Sequence, residues 1–86
     1  MMTAIRSLID REASLALPAA EIRPRADLYS LGLTSFGAVR LLLAIEHEFH
    51  VELPQEMLKR ETARSIEAIV EALHTLRPAE EWREAA

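Results

Sequence analysis

The sequence predicts an all-α domain: a small four-helix bundle with three longer helices, one short helix and a long first loop. Three stretches of the chain repeat their apolar residues at the 3.6-residue period of a helix. Proline and glycine interrupt the segment between the first two stretches. The chain has 86 residues, of which 50% are hydrophobic and 28% charged, and this composition is typical of one folded domain.

The first predicted helix spans about residues 3–15. Ile5, Leu8 and Ile9 lie at positions i, i+3 and i+4 and therefore share one face, while charged residues occupy the other. Thr3 precedes this stripe, and its hydroxyl is suited to cap a helix N-terminus. We therefore expect an amphipathic helix, not a signal peptide, at the start of this sequence.

A long loop is predicted at residues 18–34. It contains Pro18, Pro24 and Gly32 and shows no sustained period. Long loops in short chains are uncommon and are often functional. Residues 20–22 are expected to form a single turn. The apolar residues of the loop are expected to pack on the helices; they are Ile22, Leu28, Leu31 and Leu33.

Residues 35–49 carry the strongest helical pattern. Thr34 is the predicted N-cap, and His50 stands where a left-handed C-terminal residue is expected. The apolar stripe is broad enough for this helix to be the central one. It comprises Phe36, Val39, Leu42, Leu43 and Phe49 and is widened by Leu41 and Ile45.

An extended segment and the short helix are predicted next. Residues 51–54 should be extended, because Pro54 restricts the residue before it. Residues 55–60 are expected to form the short helix, with Met57 and Leu58 pointing inward. The basic residues near this junction are expected to be solvated; they are Lys59, Arg60 and Arg64.

The last predicted helix begins after Thr62, its candidate cap, and Pro78 ends it. Residues 1–78 therefore form a single domain, followed by a tail at residues 79–86. Trp82 in this tail either covers an apolar edge of the bundle or remains in solvent. The apolar stripe of the last helix is Ile66, Ile69, Val70, Leu73 and Leu76.

The net charge of −4 disfavours binding to nucleic acid, because an acidic surface repels phosphate backbones. Protein partners are expected to carry basic patches. No apolar run approaches the length needed to span a membrane. The chain has no cysteine, so it supplies no disulfide and no thiolate. We expect a soluble, cytoplasmic monomer.

His47 and His50 lie three positions apart, beside Glu46 and Glu48. This spacing is not the HExxH pattern, and no further ligand cluster accompanies it. A solvated helix face is therefore favoured over a metal site.

Ser35 is the candidate functional residue. Its immediate neighbours are typical of an ordinary first helical residue beside a cap. The segment Leu33-Thr34-Ser35-Phe36-Gly37 lacks the first glycine of a GxSxG nucleophile motif, and the sequence places no base beside the serine. We therefore expect no catalytic residue.

The stretch Asp27-Leu28-Tyr29-Ser30-Leu31-Gly32-Leu33-Thr34-Ser35-Phe36-Gly37-Ala38-Val39 resembles the modification site of acyl carrier proteins. That family has an Asp-x-x-x-x-Leu-Gly-x-Asp-Ser-Leu type of motif. The resemblance continues through residues 44–49 and 51–54 and covers about residues 3–76.

The resemblance implies a four-helix carrier domain that catalyses nothing itself. A phosphopantetheinyl transferase would attach 4'-phosphopantetheine from coenzyme A to Ser35. The thiol of this arm would hold acyl or aminoacyl cargo as a thioester. A loading ligase and downstream acyl-transfer enzymes of lipid or secondary metabolite biosynthesis would be the partners. An anionic phosphodiester also suits a helix N-terminus.

Thr34 is assigned to the cofactor site together with Ser35, although the family usually has Asp before the serine. Residues 27–29, 32–35 and 52–54 look more like dedicated stand-alone carriers, some of which are loaded with an amino acid by a synthetase-like ligase. The cargo itself is left open. The expected partner contacts are Leu33, Phe36, Val39, Arg40, Leu43, Glu46 and His47.

Among these contacts, Leu33 and Phe36 are expected to be exposed and Val39 to be partly core. Gly37 costs about 1 kcal/mol against alanine inside a helix. Either the helix end tolerates this cost, or the glycine provides clearance for a partner or for the arm. The alternative to a carrier is an unmodified helical module that buries a partner helix against its apolar faces.

Overall fold

A computed structural model of the chain describes residues 1–76. The secondary structure of these residues consists of three α-helices and three short 3₁₀ turns, with no strand. The predicted all-α architecture is therefore confirmed. The helices are α1 (Met2–Glu12), α2 (Ser35–Phe49) and α3 (Ile66–Leu76), and the 3₁₀ turns are Ala19–Glu21, Gln55–Met57 and Arg60–Ala63.

Helix α1 starts one residue earlier and ends three residues earlier than its pattern predicts. The N-cap is Met1 and makes no side-chain cap bond, so the prediction of Thr3 as cap is wrong. Thr3 lies within the first turn because the helix already includes Met2. At the other end, Ala13 is extended, with φ −128° and ψ 139°. The predicted stripe of α1 is correct, since all three of its residues are buried.

Two side chains of α1 hold the start of the loop that follows. Arg6 donates to the carbonyl oxygen of Ala19 and, at 2.8 Å, to that of Ile22. The carboxylate of Asp10 accepts from the N–H of Ala19 at 2.9 Å. These bonds fix the predicted single turn, which is a 3₁₀ turn at Ala19–Glu21.

The loop then packs its apolar residues into the core, as predicted. Ile22, Leu28 and Leu33 are buried, and Leu31 is partly buried against the same cluster. The N–H of Leu28 donates to the carbonyl oxygen of Arg64 at 2.7 Å. The loop is therefore joined to the segment before α3 as well as to α1.

Helix α2 has the predicted bounds and the predicted ends. The hydroxyl of Thr34 accepts from the N–H of Gly37 at 2.9 Å. His50 ends the helix in the left-handed region, with φ 54° and ψ 46°. The carboxylate of Glu46 then accepts from the N–H of Leu53 at 2.6 Å, which anchors the extended segment to the helix.

The predicted short helix at residues 55–60 is wrong. The chain forms one 3₁₀ turn at Gln55–Met57 and leaves helical geometry at Leu58, with φ −88° and ψ 64°. Leu58 is 51% exposed, so it does not point inward as predicted, and Met57 is only partly buried. A helix this short has few internal hydrogen bonds, and the packing of its neighbours decides its geometry.

The cap of α3 also differs from the prediction. Thr62 is buried in the 3₁₀ turn Arg60–Ala63, so it does not cap the last helix. Ser65 has this role instead, since its hydroxyl accepts from the N–H of Ala68 at 3.0 Å. The last stripe is confirmed at Ile66, Ile69 and Leu73, which are almost fully buried, while Val70 and Leu76 pack partly buried against the core.

Pro78, Trp82 and the predicted tail at residues 79–86 lie outside the described residues. Within residues 1–76, no helix is both long and apolar enough to cross a membrane. The same part of the chain holds no cluster of three or more side chains suited to bind a metal ion. His47 and His50 are both exposed.

Candidate functional site

Ser35 is the first residue of α2 and is exposed at the end of a tight turn. The N–H groups of Leu31 and Leu33 both donate to the carbonyl oxygen of Leu28, and Gly32 donates to Tyr29. Gly32 has φ +111°, a conformation that side-chain-bearing residues rarely adopt. The turn thus brings the chain from the core at Leu28 to an exposed hydroxyl within seven residues.

The cap of α2 explains Gly37, which the sequence left between two interpretations. A Cβ atom on Gly37 would lie 3.1 Å from the Thr34 hydroxyl oxygen and 3.3 Å from a methyl carbon of Leu33. Because Gly37 has no side chain, the Thr34 hydroxyl can approach the N–H of Gly37 closely, and Leu33 can pack next to the same residue. Clearance within the turn is a sufficient reason for a glycine at this position.

The outer face of α2 carries three large apolar side chains. Phe36 is 71% exposed, Val39 54% and Leu43 56%. The expected exposure of Phe36 is confirmed, and Val39 lies mostly outside the core. Leu33 is only 5% exposed, so its expected exposure is wrong. Leu33 precedes the cap and turns inward, which removes it from any contact surface on this face.

The charged contact candidates have different surroundings. Arg40 is exposed, and its guanidinium forms an ion pair with the carboxylate of Glu12 at 3.2 Å. The guanidinium carbon of Arg40 also lies 5.8 Å from the centre of the Phe36 ring. Hydrogen bonds from Arg11 and then Arg40 lower the pKa of Glu12. Glu46 is engaged within the fold by its bond to Leu53, whereas His47 is exposed.

Beside Ser35 lies an open groove of about 300 Å³. One wall is the outer face of α2, and the other is formed by the segment that follows the second 3₁₀ turn, together with Tyr29. The lining is mostly apolar, with two cationic side chains and no carboxylate. The groove is lined by Tyr29, Ser35, Ala38, Val39, Leu42, Leu43, Leu58, Lys59 and Arg60.

Two contacts between Tyr29 and Arg60 connect the two sides of this groove. The Arg60 guanidinium carbon lies 3.7 Å from the centre of the Tyr29 ring, and the Tyr29 hydroxyl donates to the Arg60 carbonyl oxygen at 2.9 Å. Partial burial raises the pKa of Tyr29, and Arg60 opposes that rise. This contact was not predicted from the sequence, where Arg60 was expected at a solvated junction and Tyr29 was noted only as part of the motif.

The chain matches the protein family described as "Phosphopantetheine attachment site" over residues 3–73. It is 41% identical over 69 residues to the aminoacyl carrier protein of Agrobacterium fabrum, covering 80% of this chain and 83% of that relative. It is 39% identical over 62 residues to aminoacyl carrier protein 1 of Bradyrhizobium diazoefficiens, covering 71% of this chain and 69% of that relative.

Solved structures give the same comparison. One crystal structure holds an engineered Bradyrhizobium japonicum glycine:[carrier protein] ligase with a carrier protein from Agrobacterium tumefaciens and AMP. One of its chains superimposes with a TM-score of 0.82 at 38% identity, covering 85% of this chain and 97% of that chain. A solution structure of an Agrobacterium tumefaciens protein superimposes with a TM-score of 0.68 at 36% identity over the full length of both chains.

Proposed function

Because this chain belongs to the phosphopantetheine attachment-site family, we propose that Ser35 is the residue to which the group is attached. The chain is a carrier, and its cofactor is covalent 4'-phosphopantetheine. The observation that carries the assignment of Ser35 is its exposed position at the start of α2, directly after the turn. Family membership makes the alternative of an unmodified interaction module unnecessary.

The surroundings of Ser35 fit a phosphodiester. Thr34 satisfies the N–H of Gly37, and the carbonyl oxygen of Thr34 accepts from Ala38 at 2.8 Å. Within the part of the chain described, the N–H groups of Ser35 and Phe36 have no acceptor. Free N–H groups and the positive end of the helix dipole both favour an anion beside the first residue of a helix.

Attachment requires one new bond at the Ser35 hydroxyl. Its oxygen replaces the bridging oxygen of coenzyme A at the phosphorus of the pantetheine phosphate. The hydroxyl proton leaves to a base of the transferase, and adenosine 3',5'-bisphosphate departs. When bound, the group supplies the thiol that carries cargo as a thioester. The chain contributes the accessible oxygen, the turn that presents it and the helix end that accepts the charge.

We assign aminoacyl groups as the cargo class. The relatives described above are named aminoacyl carrier proteins, and a carrier of similar fold crystallised with a glycine:[carrier protein] ligase. The proposed partners are a phosphopantetheinyl transferase, an aminoacyl-loading ligase and the downstream enzyme that removes the cargo. A role in lipid or secondary metabolite biosynthesis, a monomeric state and a cytoplasmic location stay predictions.

The proposed contact surface for these partners is the outer face of α2. Phe36, Val39 and Leu43 are exposed there next to Ser35, and Arg40 and His47 extend the same helix surface. Exposed apolar side chains grouped on one face are typical of interaction sites.

Intact mass spectrometry tests the assignment of Ser35. The purified chain is incubated with coenzyme A and a broad-specificity phosphopantetheinyl transferase. We expect one phosphopantetheine increment in the wild type and none in Ser35→Ala. Ser30→Ala is the matched control, because Ser30 is an exposed serine in the same turn and should leave the increment intact. An increment that persists in Ser35→Ala contradicts the proposal.

A further inference from the structure

The groove beside Ser35 has a charge opposite to that of the chain as a whole. The net charge is −4, yet the charged residues that line the groove are Lys59 and Arg60. Among residues 1–76, neither side chain forms an ion pair with a carboxylate. Two unpaired cations therefore face a mostly apolar groove that also contains the candidate attachment hydroxyl.

The position of Arg60 is fixed by contacts that leave its charge free. Its guanidinium lies 3.7 Å from the Tyr29 ring centre, and its carbonyl oxygen accepts the Tyr29 hydroxyl. Stacking on an aromatic face leaves the edge N–H groups of a guanidinium available to an anion. Lys59 is the neighbouring residue and is exposed, so its ammonium adds a mobile positive charge at the same rim.

We propose that Lys59 and Arg60 bind the phosphodiester of the arm on Ser35, so that the unloaded arm lies along the groove instead of extending freely into solvent. This inference depends on the attachment proposed at Ser35. Both cations line the same groove of about 300 Å³ as the serine, on the wall across from α2. A charge-assisted contact between a guanidinium and a phosphate oxygen is among the stronger hydrogen bonds in proteins.

The remainder of the groove suits the remainder of the arm. Pantetheine is uncharged beyond its phosphate and carries a dimethyl group and two amides. Val39, Leu43 and Leu58 are each more than half exposed along the groove and offer an apolar surface to the dimethyl group. Covering them removes apolar area from water, which favours the docked arm.

The positive charge of the groove would also suit an acidic surface of a partner enzyme. The arm is favoured because it is covalently attached at the groove, which gives it a high effective concentration there. A partner enzyme must instead reach the groove from solution. The two occupants make different predictions for the carrier studied alone, and the experiment uses that difference.

The test compares apo and holo carrier by NMR of the methyl groups of Val39, Leu43 and Leu58. Holo protein is first verified by intact mass, so a failure of attachment is recognised before any spectrum is recorded. We expect these methyl resonances to shift on attachment. Because the contact is ionic, we expect the shifts to fall by about half or more between 0.05 M and 1 M NaCl, where the Debye length shortens to about 3 Å.

The variant is Lys59→Gln with Arg60→Gln, and Arg23→Gln is the control. Arg23 is exposed, forms no ion pair within the described chain and does not line the groove. We expect the holo double variant to lose at least half of the methyl shifts at low salt, and Arg23→Gln to keep them. If phosphopantetheine cannot be attached to the double variant, the salt dependence of the methyl shifts in the wild type tests the proposal alone.

Three results overturn the proposal. Methyl resonances that are the same in apo and holo wild type show that the arm does not lie in the groove. Shifts that neither salt nor the double substitution reduces show that the cations do not hold it. Normal shifts in the double variant, combined with slower loading by a ligase, assign the cations to an acidic partner surface.

Discussion

Replacing Gly32 with alanine tests the turn that presents Ser35. Gly32 has φ +111°, and a Cβ atom there would lie 3.7 Å from the Ser14 carbonyl oxygen, an ordinary contact distance. The substitution therefore changes backbone strain without causing a clash. Strained backbone positions of this kind cost about 1–3 kcal/mol for residues with a side chain. Alanine also lowers the conformational entropy of the unfolded chain, which offsets roughly 0.4–1 kcal/mol of this loss in stability.

The expected net loss for Gly32→Ala is about 1–2 kcal/mol of unfolding free energy. With a urea m-value of about 1 kcal/mol per M for a chain of this size, the midpoint should fall by roughly 1–2 M. The assay is urea unfolding followed by far-ultraviolet circular dichroism. Only a cooperative transition licenses this comparison of free energies.

Gly37→Ala is the matched control for Gly32→Ala. Gly37 lies in α2, where alanine gains about 1 kcal/mol of helix propensity, and the crowding of the Thr34 hydroxyl opposes that gain. We expect a smaller change there than at Gly32. A Gly32→Ala protein as stable as the wild type, with an unchanged spectrum, would refute the assignment of strain to this turn.

Two further predictions concern the cap and an ion pair near the site. Thr34→Ala should lower the unfolding free energy by about 1 kcal/mol, because the N–H of Gly37 loses its acceptor, whereas Thr34→Asp should retain most of it. Equal urea midpoints for wild type and Thr34→Ala would contradict the cap. Glu12 has a lowered pKa through Arg11 and Arg40, so its contribution to stability is present above its unfolded pKa and is lost as the pH falls through the lowered folded value. Arg40→Gln should move the pKa of Glu12, measured by carbon NMR of the carboxyl group, part of the way back; an unchanged pKa would exclude Arg40 as a cause.

Local patterns predict α2 well because its determinants are adjacent in sequence. The cap at Thr34 and the left-handed residue at His50 both act within one turn of the helix, and the apolar period between them extends over the whole helix. The period alone does not tell which residues of the stripe are covered by the rest of the fold. Phe36, Val39 and Leu43 belong to the apolar stripe, yet more than half of each is exposed, because the neighbouring segments cover only one side of the helix.

Contacts between residues that are distant in sequence could not be predicted from local sequence patterns. The Tyr29 hydroxyl meets a carbonyl 31 positions away, and no local pattern links the two residues. Leu33 is buried, and a Cβ atom on Gly37 would lie 3.3 Å from one of its methyl carbons, a contact that only the folded turn shows. The net charge suggested basic partners, whereas the groove at Ser35 presents Lys59 and Arg60.

Site localisation by mass spectrometry asks whether Ser35 itself carries the phosphopantetheine group. Trypsin cleaves after Arg25 and Arg40, which releases one peptide, residues 26–40, whose hydroxyl side chains are those of Tyr29, Ser30, Thr34 and Ser35. Fragmentation of the holo peptide by electron transfer distinguishes these four hydroxyls. We expect the phosphopantetheine increment on Ser35. An increment on Tyr29, on Ser30, on Thr34 or on a peptide outside residues 26–40 would contradict the assignment.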